Sequence, residues 1–129
     1  MAQAPKLFVC DHCDQVMELL CGDEEREMTC CGKPMRLLEP NTTEGASEKH
    51  LPVATFYGKT IRVRVGDVFH PMDKEHYISM IMLRTAKGLQ RVCLKPGDEP
   101  MVDFAFTEDD CPNAMYAYCN KHGFWETKI

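Results

Sequence analysis

The cysteines constrain this chain more than any other feature. Five of the eight, Cys10, Cys13, Cys21, Cys30 and Cys31, lie within the first 31 residues, and only Cys93, Cys111 and Cys119 follow. In an exported chain such a density would mean a disulfide framework, but the opening MAQAPKLFVC has no signal-peptide apolar region. The chain therefore reads as cytoplasmic, and in a reducing compartment Cys-x-x-Cys followed by a vicinal Cys-Cys points to metal. The first 38 residues alternate short apolar runs (KLFV, VMELL, MRLL) with cysteine- and glycine-bearing turns. So small a unit cannot bury enough apolar surface to fold alone, and a metal would have to supply the missing stability. Cys10, Cys13, Cys30 and Cys31 offer four thiolates, a tetrahedral set suited to zinc or iron. Neighbouring side chains normally diverge, so using both Cys30 and Cys31 should distort the site. The competing arrangement makes one of that pair a small buried hydrophobe and Cys21 the fourth ligand. Otherwise Cys21, Cys93 and Cys111 read as structural or tolerated thiols, and His12 as a polar loop residue.

A chain of 129 residues makes one ordinary domain, or a small domain with a smaller appendage. At 44% hydrophobic and 27% charged it has the composition of a soluble globular protein. A net charge of −5 with no basic block argues against nucleic acid. No apolar run approaches the length needed to span a membrane. EPNTTEGASEKH reads as a linker. From residue 51 the pattern is strand, turn, strand. TIRVRV alternates Ile61, Val63 and Val65 on one face with Arg62 and Arg64 on the other. Gly58-Lys59 joins it to ATFY as a II′ hairpin turn. HYISMIMLR, LQRVCL, MVDFAF and AMYAYC supply further strands, KPGDEP a turn, and only NAMYAYCN could also pass for a helical turn. Short strands at this spacing indicate an all-β fold with an antiparallel sandwich.

The histidines call for a second explanation. His50, His70 and His76 lie within SEKHLPVATFYGKTIRVRVGDVFHPMDKEHYI, two of them in turn-like settings where a core histidine is not expected. His70 is held extended by the following Pro71, and PMDKE turns the chain before His76. Near the other end, YCNKHGFW offers Cys119-x-x-His122, the local spacing of a metal clamp. Singly, each imidazole has a bland reading as a surface or hydrogen-bonded group. Together, four imidazoles and a thiolate exceed what tetrahedral zinc uses, and five nitrogen and sulfur ligands with one open position suit iron that binds and reduces a small molecule. Two other readings compete. An electron-transfer protein using only the four-cysteine site would not need these residues, and a zinc-stabilised binding module would leave them unassigned. The aromatic residues and nine methionines are assigned to core packing.

CDHC…CC, EKH.P, HPM..EHYI, LKPGD and YCNKHG.W together resemble desulfoferrodoxin, the two-iron form of superoxide reductase, over essentially the whole chain. The resemblance implies a desulforedoxin-like module at residues 1–38, with iron on Cys10, Cys13, Cys30 and Cys31. It implies an immunoglobulin-like sandwich at residues 39–129 carrying the catalytic iron, with 39–49 as linker and active-site loop. His50, His70, His76 and His122 would be equatorial ligands and the Cys119 sulfur axial. Glu48 and Lys49 would flank the open position, Glu48 as sixth ligand of the ferric state and Lys49 drawing in the anion. The implied reaction is one-electron reduction of superoxide to hydrogen peroxide without release of oxygen, in a homodimer with rubredoxin as donor. The chain departs from the family pattern in its three extra cysteines and in the sequence joining Cys13 to Cys30.

Overall fold

Apolar runs of three or four residues can make only short strands, and the first unit, Gln3–Glu39, is built from them. The computed structural model describes residues 2–43 and 47–129; residues 44–46 of the expected linker and the side chain of Glu48 lie outside the described residues. Strands β1 (Leu7–Val9), β2 (Val16–Glu18), β3 (Thr29–Cys30), β4 (Lys33–Pro34) and β5 (Arg36–Leu37) form an antiparallel sheet of order β2-β1-β5 and a β3-β4 hairpin. Phe8, Cys10 and Met35, with Leu19, Met28 and Cys30 against them, make its small core. In the hairpin Cys30 pairs with Lys33, leaving Cys31-Gly32 as a two-residue turn with φ of 54° and 73°. Positive φ at both positions is the mark of a type I′ turn. Gly32 tolerates this; Cys31 pays roughly 1–2 kcal/mol for a left-handed backbone. The distortion expected of adjacent ligands is located there.

The second unit comprises Pro40–Ile129. A single helical turn, α1 (Ser47–His50), stands within the expected active-site loop. It is followed by β6 (Pro52–Tyr57), β7 (Thr60–Val65), β8 (Ile78–Thr85), β9 (Leu89–Cys93), β10 (Met101–Ala105), β11 (Pro112–Cys119) and β12 (Gly123–Lys128). The β6–β7 turn is Gly58-Lys59 with Gly58 at φ 61°, as a II′ turn requires. NAMYAYCN is strand, because β11 is hydrogen-bonded on both sides, by β8 and β12. β12 is not among the strands expected from sequence; GFWETK follows the Cys-x-x-His clamp so closely that its pattern merges with the motif.

The seven strands form two antiparallel sheets, β10-β7-β6 and β12-β11-β8-β9, an immunoglobulin-like sandwich. Ile61, Val63 and Val65 meet Ile78, Ile81, Leu83, Met115, Ala117 and Cys119 between the sheets. Each large aliphatic side chain removed from water there contributes about 1.5–3 kcal/mol. Asn41, at φ 62°, seals the outer edge of β12: its N–H donates to Phe124 O (2.9 Å), and its side chain exchanges bonds with the peptide groups of Glu126. Pro52 pairs with Val65, and Cys119 with both Ile78 and Gly123. The connections bearing histidines 50, 70, 76 and 122 therefore gather at strand ends. Among the described residues no helix is long and apolar enough to cross a membrane.

Candidate metal centres

In the first unit the sulfurs of Cys10, Cys13, Cys30 and Cys31 lie within 4.8 Å of one another. The Cys13–Cys30 and Cys30–Cys31 sulfur separations are 3.7 and 4.0 Å. Sulfurs bonded tetrahedrally to one ion at about 2.3 Å stand roughly 3.8 Å apart, so the cluster matches a metal-sized void. Exposed Cys21 is not part of the group. The first cysteine turn closes through Asp14 N to Cys10 O (2.8 Å), with Asp14 at φ 63°. A two-pronged ion pair from Arg36 to Asp11 (3.0 and 3.3 Å) ties that turn to β5, a contact with no signal in the sequence. The N–H groups of Cys13 and His12 draw the Cys10 thiol down to about 7. Its neighbours pay for this: the Cys10 and Cys13 sulfurs push Cys30 up to about 12 and, with Cys13 the larger cause, raise Cys31. Four crowded thiols cannot all ionise beside one another, and a cation among them removes that conflict.

The second cluster joins His50, His70, His76, Cys119 and His122, with ligand atoms again within 4.8 Å. The rings form a square. Centroids are 4.8 Å apart for His50–His70, 4.6 Å for His70–His76, 5.0 Å for His76–His122 and 4.6 Å for His50–His122, and the His50–His76 diagonal is 6.5 Å. Rings at adjacent corners are steeply inclined to each other, by 67° to 82°. His50 Nε2 and His122 Nδ1 stand 2.9 Å apart, close to the roughly 3.0 Å expected of two nitrogens bound at right angles at about 2.1 Å. Cys119 Sγ is 3.4 Å from His70 Nε2 and 3.8 Å from His122 Nδ1, and it belongs to the sandwich core. The sulfur thus lies on the buried side of the square.

The donors are prepared to bind a cation. His70 Nδ1 donates to the Pro71 carbonyl (2.7 Å), which leaves Nε2 with its lone pair. Burial pushes His70 down to about 4 against the upward pull of the Pro71 carbonyl, and the neighbouring imidazoles lower it further. Burial also lowers His76 and raises Cys119, the latter against the N–H groups of Lys121 and His122. His76 Nε2 is buried and, among the described residues, has no hydrogen-bond partner. An orphaned nitrogen of this kind costs about 1–3 kcal/mol unless a ligand satisfies it. A borderline divalent ion such as iron fits this set of four neutral nitrogens and one thiolate.

Lys49 is exposed on α1 directly before His50. Its carbonyl is approached closely by Gly66: a Cβ there would come within 2.8 Å of Lys49 O and 2.5 Å of Val68 O. Glu48 belongs to α1, but the position of its side chain is outside the described residues. His12 is exposed and outside both groups. Trp125, read from the sequence as packing, does more. It stacks on His50 at 5.0 Å with 19° between planes, and its Nε1 donates to His122 O (3.0 Å). The only hint was its place three residues after His122. Asn120, inside the Cys119–His122 turn, was equally silent.

Comparison with known proteins agrees with this geometry. A family model described as desulfoferrodoxin matches residues 42–128. The desulfoferrodoxin homolog of Archaeoglobus fulgidus is 37% identical over 127 residues, covering 98% of this chain and 99% of the relative. The desulfoferrodoxin of Syntrophotalea carbinolica is 39% identical over 128 residues, covering 99% of each. The crystal structure of the superoxide reductase from Treponema pallidum is similar with a TM-score of 0.84 and 34% identity, over 98% of this chain and 100% of that one. The superoxide reductase (1Fe-SOR) from Giardia intestinalis is similar with a TM-score of 0.56 and 32% identity, over 64% of this chain and 97% of that one.

Proposed function

The chain belongs to the desulfoferrodoxin family, and from that premise we propose that it is a superoxide reductase, an oxidoreductase that combines superoxide with one electron and two protons to give hydrogen peroxide. The observation that carries the reading is the square of four imidazoles over one buried sulfur, with an orphaned nitrogen at one corner. A four-cysteine electron carrier or a zinc-stabilised module has no use for that square.

Two ligand groups correspond to two irons per chain. Cys10, Cys13, Cys30 and Cys31 hold one, as an electron relay or accessory centre. His50, His70, His76, His122 and Cys119 hold the other. When bound, that second iron supplies the electron and one free coordination position. The Cys119 thiolate would donate electron density to it. Lys49 draws in the anion and holds a proton-bearing water near it. Glu48 would serve as a further ligand to the oxidised iron and would give way on reduction. His70, fixed as the Nδ1–H tautomer by Pro71 O, keeps one imidazole in register. Rubredoxin as electron donor, a homodimeric assembly and a cytoplasmic location complete the reading; the family resemblance supports the first two, and eight cysteines none of which is in a disulfide suit a reducing compartment.

Metal analysis with visible spectra before and after reduction, followed by reaction with pulse-generated superoxide, tests it. Two irons, bleaching thiolate bands and peroxide without oxygen are expected. A colourless zinc protein, or oxygen released with the peroxide, would overturn it.

A further inference from the structure

Asn120 lies between the ligands Cys119 and His122, yet its side chain serves a third ligand. Its Oδ1 accepts the Tyr77 backbone N–H (2.9 Å) and its Nδ2 donates to the Glu75 carbonyl (2.9 Å). Its own backbone N–H donates to the Tyr77 carbonyl (3.2 Å). Glu75 and Tyr77 are the two neighbours of His76. The peptide groups of His76 are themselves engaged with Asp73, N to O in both directions at 3.2 and 3.0 Å. Residues 73–76 thus form a closed turn that Asn120 grips at its His76 end. The partners fix which way the amide points, since an N–H requires the oxygen and a carbonyl requires the nitrogen. A carboxylate offers no donor for Glu75, and a longer amide overshoots both bonds.

Among the described residues His76 Nε2 has no hydrogen-bond partner, so the backbone of its turn aims that nitrogen. We infer that Asn120 is a positioning residue: it locks the His76 turn to the Cys119–His122 turn and so sets where the His76 imidazole stands relative to the sulfur and the other three rings. The inference rests on the reading that these five side chains hold iron, and extends it to a residue outside the ligand set.

The test uses the full chain: ferrous-iron affinity at the second site is measured by competition with a chromophoric chelator, and the oxidised protein supplies the sulfur-to-iron bands, with the four-cysteine band as internal reference. Asn120→Ala should weaken binding by about 10–100-fold, the usual cost of removing a group that orients a metal ligand. Repeated in a His76→Ala background, the same change should cost less than about two-fold, because the residue it acts through is gone. Asn120→Asp, which keeps the acceptor for Tyr77 and so preserves the turn, should also weaken binding and shift the sulfur-to-iron band of this site alone. Native-like affinity in either variant, or equal losses in the two backgrounds, would overturn the inference. A native chain that takes up no iron at this site overturns the clamp and the functional reading together. One that holds iron but does not reduce superoxide overturns only the functional reading.

Discussion

Cys119 answers to two demands at the scale of single residues. It is fully buried in the sandwich core and it faces His70 and His122. Cys119→Ser should therefore lose most superoxide turnover even where iron is retained, because oxygen is a far weaker donor than thiolate; near-normal activity at full iron loading would refute its role. The same change leaves a buried hydroxyl to satisfy and should lower unfolding stability by about 1–3 kcal/mol in the metal-free protein. His70 gives a prediction in pH. Its ordinary value of 6.5 falls to about 4 in the folded, metal-free chain. Between those values the unfolded chain binds the extra proton, so stability declines as pH drops from 6.5 toward 4 and levels off below. Chemical denaturation of metal-free protein across that window should show the slope, and His70→Gln should reduce it, leaving the smaller share of His76. An unchanged slope would mean that His70 titrates normally.

Turns rather than strands separate the two sites at the scale of elements. Gly32 and Gly66 both have positive φ, at 73° and 84°. A Cβ at Gly32 would meet nothing within 4 Å, whereas one at Gly66 would strike the carbonyls of Lys49 and Val68. Gly32→Ala should cost roughly 1–2 kcal/mol of backbone strain and spare both metal sites. Gly66→Ala should cost more, and should also weaken iron binding at the second site by displacing α1 and the chain leading to His70. Thermal unfolding and iron affinity of the two variants decide this, and equal effects would refute it. The strands with clean alternation, such as TIRVRV, were legible in the sequence because period-two burial is a local pattern. Cys10, Cys13, Cys119 and His122 were legible because cysteine and histidine at clamp spacing have few other uses, and His50, His70 and His76 through their turn settings and the family resemblance. The grip of Asn120 on the His76 turn, the stacking of Trp125 and the approach of Gly66 to Lys49 were not. Each is a contact between distant segments that exists only once the strand ends converge, made by residues common in ordinary turns and cores.

The whole molecule carries two chemically distinct ligand sets on two compact units. Cys13→Ser should abolish the four-cysteine absorption while leaving most superoxide reduction; loss of both would show that the sites are not independent. The net charge of −5 repels an anion weakly at long range, so capture must be local. Arg62 does not supply it, being held by Asp103 at 2.8 and 3.1 Å and lying over the Tyr57 ring. With a Debye length of about 8 Å in physiological salt, a lysine beside the site acts where distant charges are screened. Lys49→Ala should slow the second-order reaction roughly ten-fold, near the low end of steering effects. It should also flatten the dependence of rate on ionic strength; equal rates and slopes would rule Lys49 out as the steering charge. Cys119 has a further consequence for speed. A centre that changes oxidation state must rearrange its bonds each time, and that rearrangement sets part of the barrier to electron transfer. Here one donor atom is cast into the hydrophobic interior, where close packing resists displacement. With iron bound, a sulfur held this way would shift little between oxidation states and would keep the inner-sphere reorganisation energy down.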